Sequence, residues 1–217
     1  MKKFAVILSG CGVFDGAEIH EAVMALLSID KAGARYEIFA PDRLQVHVID
    51  HRTGKEMNEQ RNVLTESARI ARGKISPLSE LDPARYDGIV LPGGYGAAKN
   101  LSSYAFEGED MQVIPEVEEV LINMHELGKP IGAMCISPVI IAKVFGNVDL
   151  TIGNDPQTAA HLAQLGAKHH TIAAGEIMVD EKNKIVSTPC YMLNCSIARI
   201  AEGADKMIAA MLRLMVS

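Results

Sequence analysis

Pro130-Ile-Gly-Ala-Met-Cys-Ile-Ser-Pro138 decides how this chain is read. An apolar run ends at Cys135, small residues (Ala133, Ser137) stand two positions to either side, and a helical pattern begins at once. That is the layout of a nucleophile elbow, where the reactive side chain sits on a sharp strand-to-helix turn. Small neighbours are needed because the turn brings backbone segments together. The adjoining helix start is expected to favour thiolate over thiol. The competing reading is a buried structural cysteine, the commonest fate of a lone Cys. The elbow layout lifts the functional reading above it.

Outward from this stretch the same punctuation repeats. Residues 4–8, 36–40, 88–91, 130–134 and 150–152 read as short strands. Residues 17–32, 62–72, 115–127, 137–145, 155–165 and 195–215 read as helices. Segments 177–179 and 185–187 flank Asp180-Glu-Lys-Asn-Lys184 and predict a hairpin, and 46–49 predicts another around Arg52-Thr-Gly-Lys55. Strands alternating with helices imply an α/β architecture: a mostly parallel sheet with helices on both faces and a small edge hairpin. The 217 residues suit one domain over 1–217.

Charge and composition narrow the function. Twenty-one basic against 27 acidic residues leave a net charge of -6, which argues against nucleic acid or an anionic membrane as partner. No apolar run approaches the roughly 18 residues of a membrane span. Cysteines stand at 11, 135, 190 and 195 with no C-x-x-C pair, so neither a disulfide scaffold nor a zinc knuckle is indicated. Reduced thiols in a cytoplasm are the simplest reading. The opening Lys2-Lys3, Phe4–Leu8 and Cys11 imitate a lipoprotein signal, but five apolar residues are too few, and 4–8 is read as a first buried strand.

In a parallel sheet, ligands bind beyond the carboxyl ends of the strands. Two further junctions there are unusual. Ser9-Gly-Cys-Gly-Val-Phe-Asp-Gly16 resembles a dinucleotide fingerprint, yet its G-x-G-x-x-x-G is one residue too long. It leads to Glu18 and Glu21 in a first helical turn; capping suits Glu18, whereas Glu21 is a candidate acid/base. Leu91-Pro-Gly-Gly-Tyr-Gly96 offers adjacent glycines whose amides can approach a ligand. All three junctions are expected on one sheet edge, with Cys135 near Glu21 and the Gly93-Gly94 backbone. That supplies a nucleophile, an acid/base and, from the amides of Gly94 and Ile136, oxyanion donors.

Other candidates rank lower. Gly93, Cys11, Asn154 and Cys190 are expected around the pocket, Cys11 as packing and Cys190 from the last strand. Cys195 reads as core. His20 neighbours Glu21 in sequence but points elsewhere on a helix. His47 and His51 would suit zinc only on a helix, and His169-His170 reads as a solvated turn. Met207, Met211 and Met215 have helical spacing and read as core or dimer surface. No metal or cofactor is called for.

Taken together, 90–101 (Val-Leu-Pro-Gly-Gly-Tyr-Gly-Ala-Ala-Lys-Asn-Leu), the Cys135 elbow and Gly16-Ala-Glu-Ile-His-Glu21 resemble the PfpI-type, class I glutamine amidotransferase-like superfamily. Within it the chain is similar to the ElbB glyoxalase family, through Val6-Ile-Leu-Ser-Gly-Cys-Gly-Val13, Lys99-Asn-Leu-Ser102, Met134-Cys-Ile136, Leu150-Thr-Ile-Gly153 and Tyr191-Met-Leu193. The resemblance implies a flavodoxin-like sandwich, a homodimer, and a cofactor-free glyoxalase turning glyoxal into glycolate and methylglyoxal into lactate. It also implies apparent protein deglycase activity and a link to isoprenoid synthesis. Cys135 matches the family nucleophile, Glu21 the acid beside it, and Gly94 and Ile136 the oxyanion amides. Ile136 stands where many superfamily members have a histidine; Asn154 or Asp155 is expected to fill that space. No histidine has a Glu two residues on, so the glutaminase triad is missing. A rival reading makes Cys135 the centre of a redox sensor, or of a regulatory or binding protein of isoprenoid metabolism, with little turnover.

Overall fold

The alternation of Phe4, Val6 and Leu8 with Ala5 and Ile7 explains the layering. Both sets are buried, the first against one helical layer and the second against the other. A strand apolar on both sides belongs at the centre of a parallel sheet. In the computed structural model, which describes residues 1–215, it lies between parallel neighbours.

The strands are β1 (Lys3–Ile7), β2 (Arg35–Ala40), β3 (Ile49–Asp50), β4 (Lys55–Glu56), β5 (Ser76–Pro77), β6 (Gly88–Leu91), β7 (Ile131–Met134), β8 (Asp149–Leu150), β9 (Lys168–His169), β10 (Met178–Asp180) and β11 (Ile185–Thr188). The helices are α1 (Ile19–Lys31), α2 (Val63–Ile70), α3 (Tyr95–Lys99), α4 (Tyr104–Glu107), α5 (Pro115–Glu126), α6 (Pro138–Phe145), α7 (Pro156–Gln164) and α8 (Ile197–Leu214). The central sheet has the order β10-β11-β7-β6-β1-β2-β5. Only the β10–β11 pair is antiparallel, which makes it the edge hairpin. The result is the α/β sandwich expected from sequence.

α1 and α8 cover one face, burying Ala22, Ala25, Ile29, Ile200, Met207 and Met211. α5 and α6 cover the other with Val117, Leu121, Met124 and Val139–Ala142. Each such fully buried aliphatic side chain contributes about 1.5–3 kcal/mol. Strand order reverses at β1, whose neighbours are β2 on one side and β6 on the other. That switch opens a crevice at the carboxyl ends of β1, β6 and β7.

Several local expectations are corrected. Residues 46–48 are not strand: the Val46 amide donates to Asn100 Oδ1, which holds the segment against the end of α3. Only β3 and β4 pair, as a separate two-stranded ribbon. His169 is not in a solvated turn: Lys168–His169 is β9, parallel to β8, and His170 pairs with Asp149. The half-buried Cys195 precedes α8 rather than sitting in the core, its thiol directed at the Cys190 carbonyl. The short α3, α4, β5 and β9 went unread because they span two to five residues, too few to show a period. None of the described helices is long and apolar enough to cross a membrane.

Candidate active site

Cys135 follows β7 directly and adopts φ +59°, a left-handed conformation that costs a residue with a Cβ about 1–2 kcal/mol. Such strain persists only where the surroundings over-determine it. Here the Cys135 amide donates to the Thr188 carbonyl (2.9 Å) and the Ser137 hydroxyl to the Pro92 carbonyl (2.7 Å). The turn is thus tied to the ends of both β11 and β6. The other two junctions are tied in as well: the Glu18 amide donates to the Gly93 carbonyl (2.9 Å) and the Gly96 amide to that of Gly16 (2.8 Å).

Glu18 is the N-cap of α1. Its carboxylate accepts from the Glu21 amide at 2.7 Å, the capping role expected of it. One turn on, Glu21 is wholly buried. Its carboxyl oxygens accept from the Gly93 amide (3.1 Å) and the Tyr191 amide (3.2 Å), and it makes a hydrogen bond with the Cys135 thiol. Gly93 fits between the two reactive groups: a Cβ there would lie 2.4 Å from Cys135 Cβ and 2.6 Å from Glu21 Oε2. Gly94 has φ +96°, and a Cβ would meet the Glu18 nitrogen at 2.4 Å. The amides of Gly94 and Ile136 bond to the Cys135 sulfur.

Burial, then the neighbouring Glu18 charge, pushes the Glu21 carboxyl up to about 8 despite its amide donors. Burial and the Glu21 carboxylate likewise push the Cys135 thiol up, with the two amides working against them. This corrects the expectation of a thiolate favoured by a helix start. Cys135 lies three residues before α6 and is 7% exposed, so desolvation wins. The two groups hold their protons as a coupled pair.

Above this pair lies a cavity of about 590 Å³. Cys135, Ile136, Gly94, Glu18, Tyr191 and Met192 contribute to its wall. Gly93 lies beneath it, between Cys135 and Glu21. Cys11, Asn154 and Cys190 do not line it, which corrects their placement as pocket residues. Cys11 sits near Glu66, Arg69 and Asp15; Asn154 is exposed in the turn before α7; Cys190 is buried, while its neighbour Tyr191 reaches the cavity. Asp155 does line it and caps α7. His20 is exposed and bonds to the Tyr191 hydroxyl (2.8 Å).

Sequence reasoning missed a polar group on the same cavity. Tyr104, Thr158 and His161 all line it, and His161 is paired with both Tyr104 and Glu109. Thr158 and His161 are i, i+3 on α7, the one sequence signal that they share a face. Among the described residues no group of three or more His, Cys, Asp or Glu side chains is arranged to hold a metal. A second cavity of about 600 Å³, beside β2 and the end of α2, contains neither cysteine nor histidine.

A cysteine elbow at the carboxyl edge of this sandwich, backed by a buried glutamate, defines a protein of the class I glutamine amidotransferase-like superfamily. No protein-family model matches the chain. It is 48% identical to human glutamine amidotransferase-like class 1 domain-containing protein 3, mitochondrial, over 98% of this chain and 83% of that one. It is 47% identical to the mitochondrial ES1 protein homolog of Rattus norvegicus, over 98% and 84%. A solved isoprenoid biosynthesis protein with an amidotransferase-like domain from Ehrlichia chaffeensis superposes with a TM-score of 0.91 at 36% identity, over 97% of this chain and 99% of that one. The chain belongs to the family of ES1-type, glutamine amidotransferase-like class 1 domain proteins.

Proposed function

We propose that this protein is a cofactor-independent glyoxalase that converts glyoxal to glycolate, and methylglyoxal to lactate, through Cys135. The observation that carries the reading is the buried Glu21 carboxyl, hydrogen-bonded to a strained Cys135 whose sulfur also receives the Gly94 and Ile136 amides. The cavity holds such a substrate with room for water, and neither Lys nor Arg lines it, which suits a neutral dicarbonyl better than a phosphorylated one.

The pair begins work when it has lost one of its two protons. The Cys135 thiolate adds to one aldehyde carbon while Glu21 protonates the forming alkoxide, leaving a hemithioacetal and a Glu21 carboxylate. That carboxylate takes the proton from the sulfur-bearing carbon, and an enediolate forms. Glu21 returns that proton to the neighbouring carbon while the hydroxyl proton on the sulfur-bearing carbon passes to the neighbouring oxygen, giving a glycolyl thioester. Water cleaves it to glycolate and thiol. One carbon is oxidised and the other reduced, so no outside redox partner is needed.

The redox-sensor reading asks for an accessible, acidic thiol. Burial and a raised thiol count against it. We place the chemistry in a reducing compartment, where four free thiols persist; the mammalian relatives are named mitochondrial. A homodimer remains part of the proposal, because Ile19, Val23 and Leu27 leave an exposed apolar stripe on α1 that a second copy would cover. A role in isoprenoid metabolism is likewise proposed, through the relative whose name carries it.

The test is glycolate formation from glyoxal by metal-stripped protein beside Cys135→Ala. Glycolate from the first and none from the second is the expected result. None from either overturns the reading.

A further inference from the structure

A thioester on Cys135 must be hydrolysed, and Glu21 is badly placed to activate the water. It is wholly buried, and each of its oxygens accepts from a backbone amide. Glu18 has one oxygen committed to capping α1. The remaining titratable cluster on the cavity is built from α4, the 3-10 turn Gly108–Asp110 and α7.

There Glu109 lies 3.1 Å from His161 Nε2, and the Tyr104 hydroxyl lies 3.0 Å from His161 Nδ1. A carboxylate only accepts, so the His161 Nε2–H donates to Glu109, which selects the tautomer carrying its proton on Nε2. Nδ1 is then a lone pair, and Tyr104 donates to it. The Thr158 hydroxyl in turn donates to the Tyr104 oxygen. Gly108 backs the ring: a Cβ there would sit 3.2 Å from His161 Cε1. Every hydrogen bond in the chain has one donor and one acceptor, and Tyr104 and His161 both border the cavity that contains Cys135. An imidazole oriented by a carboxylate is the arrangement of a general base.

We propose that Tyr104, His161 and Glu109 form a proton relay that activates water to release the acyl group from Cys135. The inference rests on the proposed function only in requiring an acyl-Cys135. As the water oxygen bonds to the thioester carbonyl carbon, its proton passes to the Tyr104 oxygen and the Tyr104 proton to His161 Nδ1. Glu109 stabilises the imidazolium. The carbon–sulfur bond then breaks, and the proton returns through Tyr104 to the sulfur. Tyr104 is the catalytic residue of this step; His161 and Glu109 act through it as positioning residues.

The experiment acylates the intact protein with p-nitrophenyl acetate, which loads Cys135 without any glyoxal chemistry. p-Nitrophenol release reports acylation, and intact mass follows loss of the acetyl group. Deacylation relative to acylation is expected to fall about 100-fold or more in Tyr104→Phe and His161→Gln, in keeping with loss of general-base help. It should fall less in Glu109→Gln, whose carboxylate is partly exposed. Unchanged deacylation in both variants overturns the relay, and its loss in Glu18→Gln alone would hand the step to Glu18. A protein that makes no glycolate yet loses deacylation in His161→Gln keeps the relay and discards the glyoxalase.

Discussion

Replacing Glu21 with Gln changes the pH dependence of stability in a way the structure fixes in sign and size. Glu21 gives up its proton near pH 8 in the folded protein against 4.5 in an open chain. Its folded form therefore binds the proton more tightly. The associated stability is fully present below pH 4.5, declines as the unfolded chain ionises, and is lost by about pH 8. At about 1.4 kcal/mol per pH unit, the whole window is worth about 5 kcal/mol. Gln abolishes the titration but brings its own cost. Both Glu21 oxygens accept from backbone amides, and Gln has one acceptor only, so one N–H would face another. That mismatch costs about 1–3 kcal/mol. Glu21→Gln should thus be the less stable protein at pH 5 and the more stable at pH 9, with the curves crossing near pH 6. Urea unfolding of both proteins at half-unit steps from pH 5 to 9 measures this. Parallel curves would refute the reasoning, because they would mean that Glu21 ionises in the folded state as it does in water. Turnover of the variant should be strongly reduced at every pH.

Cys135 should be alkylated by iodoacetamide at a rate that climbs through pH 8, and the climb should start at lower pH in Glu21→Gln, which lacks the opposing carboxylate; a rate flat from pH 6 would restore the acidic thiol. Gly93→Ala should lose glycolate formation and about 3 kcal/mol of stability, since the new methyl lands on Cys135 Cβ and Glu21 Oε2; a stable, active variant would show that the pair need not be so close. Asp155→Ala should cost about 1 kcal/mol in denaturant unfolding by uncapping α7, where Asp155 accepts from the Thr158 amide at 2.7 Å. Asp155→Asn should cost a few tenths, and an equal loss would assign the effect to charge instead.

The sequence by itself determined the periodic parts. Runs such as 4–8, 88–91 and 130–134 are apolar at every position because their strands are covered on both sides, and that local fact needs no partner to be read. The elbow at Cys135 and the cap at Glu18 were equally local, each being a matter of residue type beside a strand or helix end. What only the tertiary structure decided depends on segments remote in sequence. Residues 46–48 look like strand, yet the Val46 amide donates to Asn100, 54 positions away. The helix start beside Cys135 suggested a thiolate, but burial beneath the three junctions outweighs a dipole that acts only over one turn. Tyr104, Glu109 and His161 sit 5 to 57 residues apart on three separate elements. Side-chain hydrogen bonds of that span leave no periodicity in a chain. They exist because the switch at β1 folds α4 and α7 over the same carboxyl edge that carries the cysteine.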